Sequence, residues 1–402
     1  MPRRVGGDDP VGSDRARAAR TAADPAARQV PVMWTPRKGR GALSRIAHRF
    51  ESIVREADGD ALDAARLEAA EEAADEGQAG PPPLPTTVMD EHAGRVIAYN
   101  DSPDIPFDRS LNPYRGCEHG CIYCYARPTH SYLNLSPGLD FETRLVAKVN
   151  AVERLRAELA APGYRPAVVN LGSATDAYQP IERERRITRA IVELLVQARH
   201  PFSIVTKASL VERDLDLLRE AAAAQTAAVY VSLTTLDADL SRRLEPRAAS
   251  PARRLRTIEA LARAGVPVHV NAAPVIPFLT EPELERILAA ARAAGAGTAH
   301  YTVLRLPWEV APLFREWLDA HFPERAQRVM NRVREMRGGR DYDADFASRM
   351  KGEGTWAALI RQRFDMACAR LGYRRDAPAL RTDQFVPLSL PPRTAVPQLD
   401  LF

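Results

Sequence analysis

The sequence predicts an α/β protein built on a partial (β/α)6 barrel. Two patterns carry this. Short, almost continuously apolar runs alternate with longer amphipathic stretches from Ser110 to Pro323, and polar residues collect where the apolar runs end. Strands that are apolar on both faces belong in parallel sheets covered by helices, and the alternation supplies the crossovers that parallel pairing needs. A third observation bounds the size: 45% hydrophobic residues in a chain of 402 suffice for a sizeable core.

In chain order, residues 1–99 are charged and Ala-rich, include Pro81-Pro82-Pro83-Leu84-Pro85, and are expected to be largely disordered or partly helical. Residues 100–330 make the core. A first strand is expected just before Cys117, then Ala167–Gly172, Phe202–Thr206, Ala227–Thr235, Val266–Ile276 and Thr298–Leu306. Helices are expected at Glu142–Ala160, Ile181–Ala198, Glu212–Ala224, Arg253–Ala264, Pro282–Ala294 and Pro312–Ala320. Residues 331–385 read as a helical extension with a helix around Trp356–Leu371, and 386–402 as a flexible tail.

No apolar run approaches the roughly 18–20 residues that span a bilayer. Met1–Asp24 lacks the apolar centre of a secretory signal, so a cytoplasmic protein without membrane contact is expected. The net charge of +4 selects no partner by itself. Three of the four cysteines fall at 117, 121 and 124. Such clustering in a reducing compartment marks metal ligands or redox groups rather than a disulfide framework. Cys368 reads as a buried helix residue.

The cluster lies in Asn112-Pro-Tyr-Arg-Gly-Cys117-Glu-His-Gly-Cys121-Ile-Tyr-Cys124-Tyr125. Three thiolates on one loop can bind three irons of a cubane and leave the fourth open, whereas four cysteines saturate every iron. An open iron can accept a small molecule. Gly116 and Gly120 let the loop wrap tightly. The alternative is a zinc knuckle with His119 or His130 as fourth ligand, although His119 sits awkwardly between the first two cysteines.

At the ends of the expected strands, where such folds do their chemistry, stand Ser173, Thr175, Asp176, Lys207, Ser232, Thr234, Asn271 and Arg305. In a chain whose basic residues are nearly all arginine, Lys207 suits an anionic group, or is simply solvated. Asn271 and Arg305 are candidates to face substrate, or else ordinary barrel-filling residues.

These residues resemble the radical S-adenosylmethionine (radical SAM) enzymes, whose signature is CxxxCxxC and whose fold is a partial (β/α)6 barrel. The resemblance implies a [4Fe-4S] cluster on Cys117, Cys121 and Cys124. It implies S-adenosylmethionine chelated at the open iron, an external electron donor, and reductive cleavage to methionine and a 5′-deoxyadenosyl radical. Within the family the chain is most similar to the spore photoproduct lyase-like branch, through Cys117–Tyr125, the Asp176 turn, Thr206-Lys207, Ser232–Asp237 and Ala273-Pro274-Val275-Ile276-Pro277. That likeness implies that Tyr123 and Tyr125 line the cofactor, Lys207 pairs with its carboxylate, and Thr175 and Ser232 hydrogen-bond it. The chain departs from the family in lacking Gly-Gly-Glu after the second strand. Ser173 stands where the lyases carry a hydrogen-donating cysteine, and a serine O–H bond is too strong to replace a thiol in that role.

The last residues, Gln398-Leu399-Asp400-Leu401-Phe402, look like the bacterial sliding-clamp binding peptide, with Leu and Phe as anchors and Gln fixing register. The alternative is that Leu401 and Phe402 fold back on their own domain. The basic stretch Arg325–Arg340 either touches phosphate or is a solvated helix face. The expected function is a radical SAM enzyme acting on nucleic acid, or else on a protein or small molecule. The competing class is a non-enzymatic zinc or iron–sulfur module recruited to the clamp.

Overall fold

A computed structural model describes residues 38–51 and 84–389. Strands β1 (Thr87–Glu91), β2 (Ile97–Tyr99), β3 (Arg109–Leu111) and β4 (Tyr114–Arg115) lead into the cysteine loop, and α1 (Asp140–Thr143), β5 (Arg144–Lys148) and α2 (Ala151–Leu159) follow it. Strand and helix then alternate: β6 (Val169–Leu171), α3 (Glu182–Arg185), α4 (Ile187–Gln197), β7 (Phe202–Thr206), α5 (Leu215–Ala223), β8 (Ala227–Ser232), α6 (Ala238–Leu244), α7 (Pro251–Arg263), β9 (Val268–Val275), α8 (Leu284–Ala293), β10 (Ala299–Val303) and α9 (Val310–His321). Helices α10 (Pro323–Glu335) and α11 (Gly354–Leu371) make up the extension.

The main sheet runs β10-β9-β8-β7-β6-β3-β2, parallel throughout except where β2 pairs with β3. It contains the five later strands expected from the sequence, with β3 as the first, and is an open, partial barrel; the two-residue β4 directly before Cys117 pairs instead with β5 in a separate three-stranded sheet. Its strands are apolar because both faces are covered: Val169, Leu171, Phe202, Ile204, Val229, Val231, Val268 and Val270 are buried in one continuous core. A polar pair inside is joined across the sheet, Asn170 Nδ2 donating to Ser203 Oγ at 2.9 Å, while the buried Asn170 Oδ1 has no partner among the described residues. Helix α4 presents Ile187, Ile191, Val192 and Leu195 to that core. Local chemistry sets two helix starts: Asp237 accepts the N–H groups of Asp239 and Leu240 before α6, and Ser250 accepts that of Arg253 before α7.

Three stretches differ from the sequence expectation. The helix expected over Glu142–Ala160 is interrupted by β5, whose Leu145, Val146 and Ala147 are buried where β5 pairs with β1 and β4. Sheet pairing overrides local helical preference there. The helix expected over Ile181–Ala198 breaks at Arg186, which takes φ 54°. The buried Glu182 carboxylate accepts the Thr188 and Arg189 N–H groups at 2.9 and 3.2 Å, so a separate α4 begins with its own cap. Finally, residues 38–51 lie packed without helix, with Arg40, Ala42, Leu43, Ser44, Ile46 and His48 buried. Their apolar side chains are too few and irregular to read as a core element, and long-range contacts alone hold them. The clamp-like residues Gln398, Leu399, Asp400, Leu401 and Phe402 lie outside the described residues.

Candidate active site

Strand β4 delivers the chain directly into the cysteine loop. Cys117 and Cys121 are buried, Cys124 is partly buried, and all three are free thiols. The loop folds back on itself, with Gly120 N–H donating to Cys117 O at 3.4 Å and Cys124 N–H to Cys121 O at 3.2 Å. It is tied to the body by Cys117 N–H on Phe141 O (2.9 Å) and Ile122 N–H on Leu244 O (3.1 Å). Gly116 takes φ 77° and Gly120 φ 66°, and a Cβ at Gly116 would lie 2.7 Å from Leu145 Cδ2. Both the backbone conformation and the space therefore require glycine.

Buried partners hold the loop's polar groups. Arg127 donates to Cys121 O at 2.9 Å and Gly120 O at 3.2 Å, and pairs with Glu142 at 2.5 Å. Gln179 brackets the loop start, donating to Gly116 O (3.1 Å) and accepting Glu118 N–H (2.9 Å). Asn112 Oδ1 accepts the N–H groups of Ala174 and Thr175 at 2.9 and 3.3 Å, pinning the turn after β6.

Asp176 organises the adjoining strand ends. It accepts from Thr206 Oγ1 (2.8 Å), Lys207 N–H (2.7 Å) and Tyr178 N–H (2.9 Å), and lies 3.3 Å from His119 Nδ1. Burial raises a carboxyl pKa, but His119 and the N–H donors outweigh it and hold Asp176 down to about 2. A second buried network joins Glu245 to Arg254, Thr234 and Tyr123. Against burial, Arg254 and Lys207 hold Glu245 at about 2. Burial pushes the Cys117 thiol well up and the Cys121 thiol to about 12. Coordination to a metal replaces those thiol protons.

The structure brings most of the expected site residues to one region. Lys207 Nζ lies 5.9 Å from the Tyr123 ring centroid, and Cys121 and Glu245 both act on its charge. Tyr123 is buried, its hydroxyl engaged with Glu245 and 3.2 Å from Thr234 Oγ1, so only its ring is available to a cofactor. Tyr125 is 48% exposed; its hydroxyl donates to Ser173 O and its ring lies 5.2 Å below the Arg305 guanidinium. Thr175 is buried beside Tyr114 O at 3.5 Å. Ser232 and Asn271 are register partners on β8 and β9. Arg305 reaches Met350 Sδ at 3.3 Å and Tyr342 Oη at 3.4 Å, and its buried Nε has no partner among the described residues.

The donor set fits a cubane. Three sulfurs come from one tightly wound loop, and Lys207 supplies positive charge beside Cys121. His130, the other expected zinc ligand, hydrogen-bonds Arg144 O through Nε2 at 2.9 Å, and its buried Nδ1 has no partner among the described residues. Glu142, Glu245, Arg127 and Asn112 did not stand out in the sequence. Asp176 did, by its place at a strand end.

A model of the Radical SAM superfamily matches residues 111–291. An uncharacterised protein of Mycobacterium tuberculosis (strain H37Rv) is 40% identical over 234 residues, covering 58% of this chain and 68% of that protein. An uncharacterised protein of Methanocaldococcus jannaschii is 26% identical over 223 residues, covering 56% and 80%. Among solved structures, a spore photoproduct lyase mutant with bound AdoMet and dinucleoside spore photoproduct aligns with TM-score 0.47 and 15% identity, over 78% of this chain and 94% of that one.

Proposed function

The chain belongs to the radical SAM superfamily, and from this premise we propose that Cys117, Cys121 and Cys124 each hold one iron of its [4Fe-4S] cluster. It is a radical SAM enzyme whose cofactors are that cluster and S-adenosylmethionine, which sets aside the non-enzymatic module. When bound, the cluster supplies the electron, received from an external donor, that reductively cleaves S-adenosylmethionine. The protein's own residues orient and shelter. Lys207 offers its ammonium to the methionyl carboxylate, the Tyr123 and Tyr125 rings flank the cofactor, and Thr175 and Ser232 supply hydrogen bonds. Asp176 fixes the backbone at Lys207, and the Glu245–Arg254 pair sets the charge beneath it.

The observation that carries this reading is the cysteine loop: three free thiols on one turn, beside the Lys207 cation. The test is anaerobic reconstitution with iron and sulfide, then dithionite and S-adenosylmethionine, assaying 5′-deoxyadenosine in wild type and Cys121→Ala. Product that vanishes in the variant supports the assignment. A fully loaded wild type that forms none would sink it.

For the substrate we favour nucleic acid in the cytoplasm. Arg305 makes no ion pair among the described residues, which suits an anionic group, and Asn271 lies on the neighbouring strand. The clamp-like tail, Gln398–Phe402, gives a route to DNA. Adding DNA duplexes, single strands or peptides to the cleavage assay separates these classes. Stimulation by peptides but by no nucleic acid would overturn the choice.

A further inference from the structure

The packed segment 38–51 meets the cysteine loop through one carboxylate. Glu142 is fully buried, and its two oxygens accept Gly41 N–H at 2.9 Å, Ala42 N–H at 2.8 Å and Arg127 Nη2 at 2.5 Å. Arg127, also fully buried, spends its other donors on the carbonyls of Gly120, Cys121, Pro137 and Gly138. One side chain thus joins the N-terminal segment to the arginine that fixes the peptide groups on both sides of the Cys121 nitrogen and carbonyl.

The approach is close enough to exclude any side chain. A Cβ on Gly41 would lie 1.8 Å from Gly120 O. Beyond it, Ala42 and Ile46 share an apolar cluster with Cys121, Ile122 and Tyr123. The segment is anchored further along by Leu139 N–H on Ser44 O (3.0 Å), Ser136 Oγ on Ile46 O (2.8 Å) and the Arg49–Glu309 pair (2.9 Å). It has no helix or strand of its own, so its order comes entirely from this docking.

We propose that residues 38–51 are a strap that locks the iron–sulfur cluster in place, with Glu142 and Arg127 as its positioning residues. They act through the backbone at Gly120 and Cys121 to hold the Cys121 thiolate, while Ala42 and Ile46 keep water from it. This rests on the reading that the three cysteines hold the cluster. Partners behind a metal ligand set its retention, and solvent exposure sets a cluster's potential. A buried ion pair that merely stabilised the fold would show in the melting temperature of the apoprotein and leave the cluster's potential unchanged.

The test compares wild type, Glu142→Gln and Gly41→Ala, each reconstituted anaerobically and measured without S-adenosylmethionine. The readouts are iron per chain, the rate of cluster loss to an iron chelator, the midpoint potential followed by electron paramagnetic resonance, and the melting temperature of the apoprotein. Both variants are expected to build the cluster and lose it on the order of tenfold faster. Their potentials should rise, because water reaching the cluster favours its more negative reduced form. Should Glu142→Gln fail to fold, Gly41→Ala carries the test, since it keeps both side chains of the Arg127–Glu142 pair and strikes the strap–loop contact at Gly120 O. Chelator lifetimes and potentials equal to wild type in the folded variants would overturn the strap. A wild type that builds no cluster would instead overturn the cysteine assignment beneath it.

Discussion

Lys207 shows how a single side chain acquires a role from its surroundings. Burial disfavours an ammonium, yet Cys121, Glu245 and Asp176 together hold its pKa above the ordinary lysine value, with Arg254 opposing. It is therefore a stable cation at the strand end and cannot act as a neutral base near pH 7. Lys207→Met is expected to raise the KM for S-adenosylmethionine by about 10–100-fold, the worth of a hydrogen bond to a charged group. Initial rates of 5′-deoxyadenosine formation check this, and an unchanged KM would remove Lys207 from the cofactor site. Glu316 behaves oppositely. Burial pushes its carboxyl up to about 7, with only the Ser44 hydroxyl, at 2.8 Å, working against the shift. Because the folded pKa is raised, Glu316 favours folding at low pH, and this contribution is lost as pH rises from about 4.3 through 7. Glu316→Gln should then stabilise the apoprotein at pH 8 by on the order of 1–2 kcal/mol, allowing for partial exposure. It should also flatten melting temperature against pH over that window, and a parallel downward shift at every pH would contradict the assignment.

At the scale of elements, the cysteine loop and the helices obey different controls. Helix α4 is held by apolar burial, so Leu195→Ala should cost about 2–5 kcal/mol in a denaturant melt, with chelator lifetime of the loaded protein little changed. The loop is held by backbone geometry. Gly120→Ala meets a positive φ of 66° and places Cβ 2.8 Å from Glu142 Oε2. It is expected to cost about 1–2 kcal/mol from conformation alone and to reduce iron bound per chain. Full iron content in that variant would show that the loop tolerates a rearrangement. The alternating elements were legible in sequence because Ile191, Leu195, Val229 and Val231 report their own burial through period. Strand β5 was not, because Leu145–Ala147 become a strand only by pairing with β1 and β4, and neither partner is local to them.

For the whole molecule, the open parallel sheet gathers side chains at the ends of β6, β7, β8, β9 and β10 beside the cysteine loop that follows β4, although they are far apart in the chain. Among the described residues no helix is long and apolar enough to cross a membrane. If the C-terminal peptide recruits the enzyme to a sliding clamp, deleting Gln398–Phe402 should abolish clamp binding in a pull-down or by surface plasmon resonance. S-adenosylmethionine cleavage and melting temperature should stay at wild-type values. Clamp binding that survives the deletion would dismiss the motif.

The sequence by itself determined the family and the architecture. Cys117, Cys121 and Cys124 lie within one loop, and the strand–helix rhythm repeats locally, so both are written in neighbouring residues. Only the tertiary structure decided what surrounds those cysteines. Glu142 meets Gly41 about a hundred positions away, Asp176 meets Thr206 and Lys207, and Glu245 meets Tyr123. Such partners leave no periodic trace, because a buried charge is identified by the group that neutralises it, and chain folding alone brings the two together.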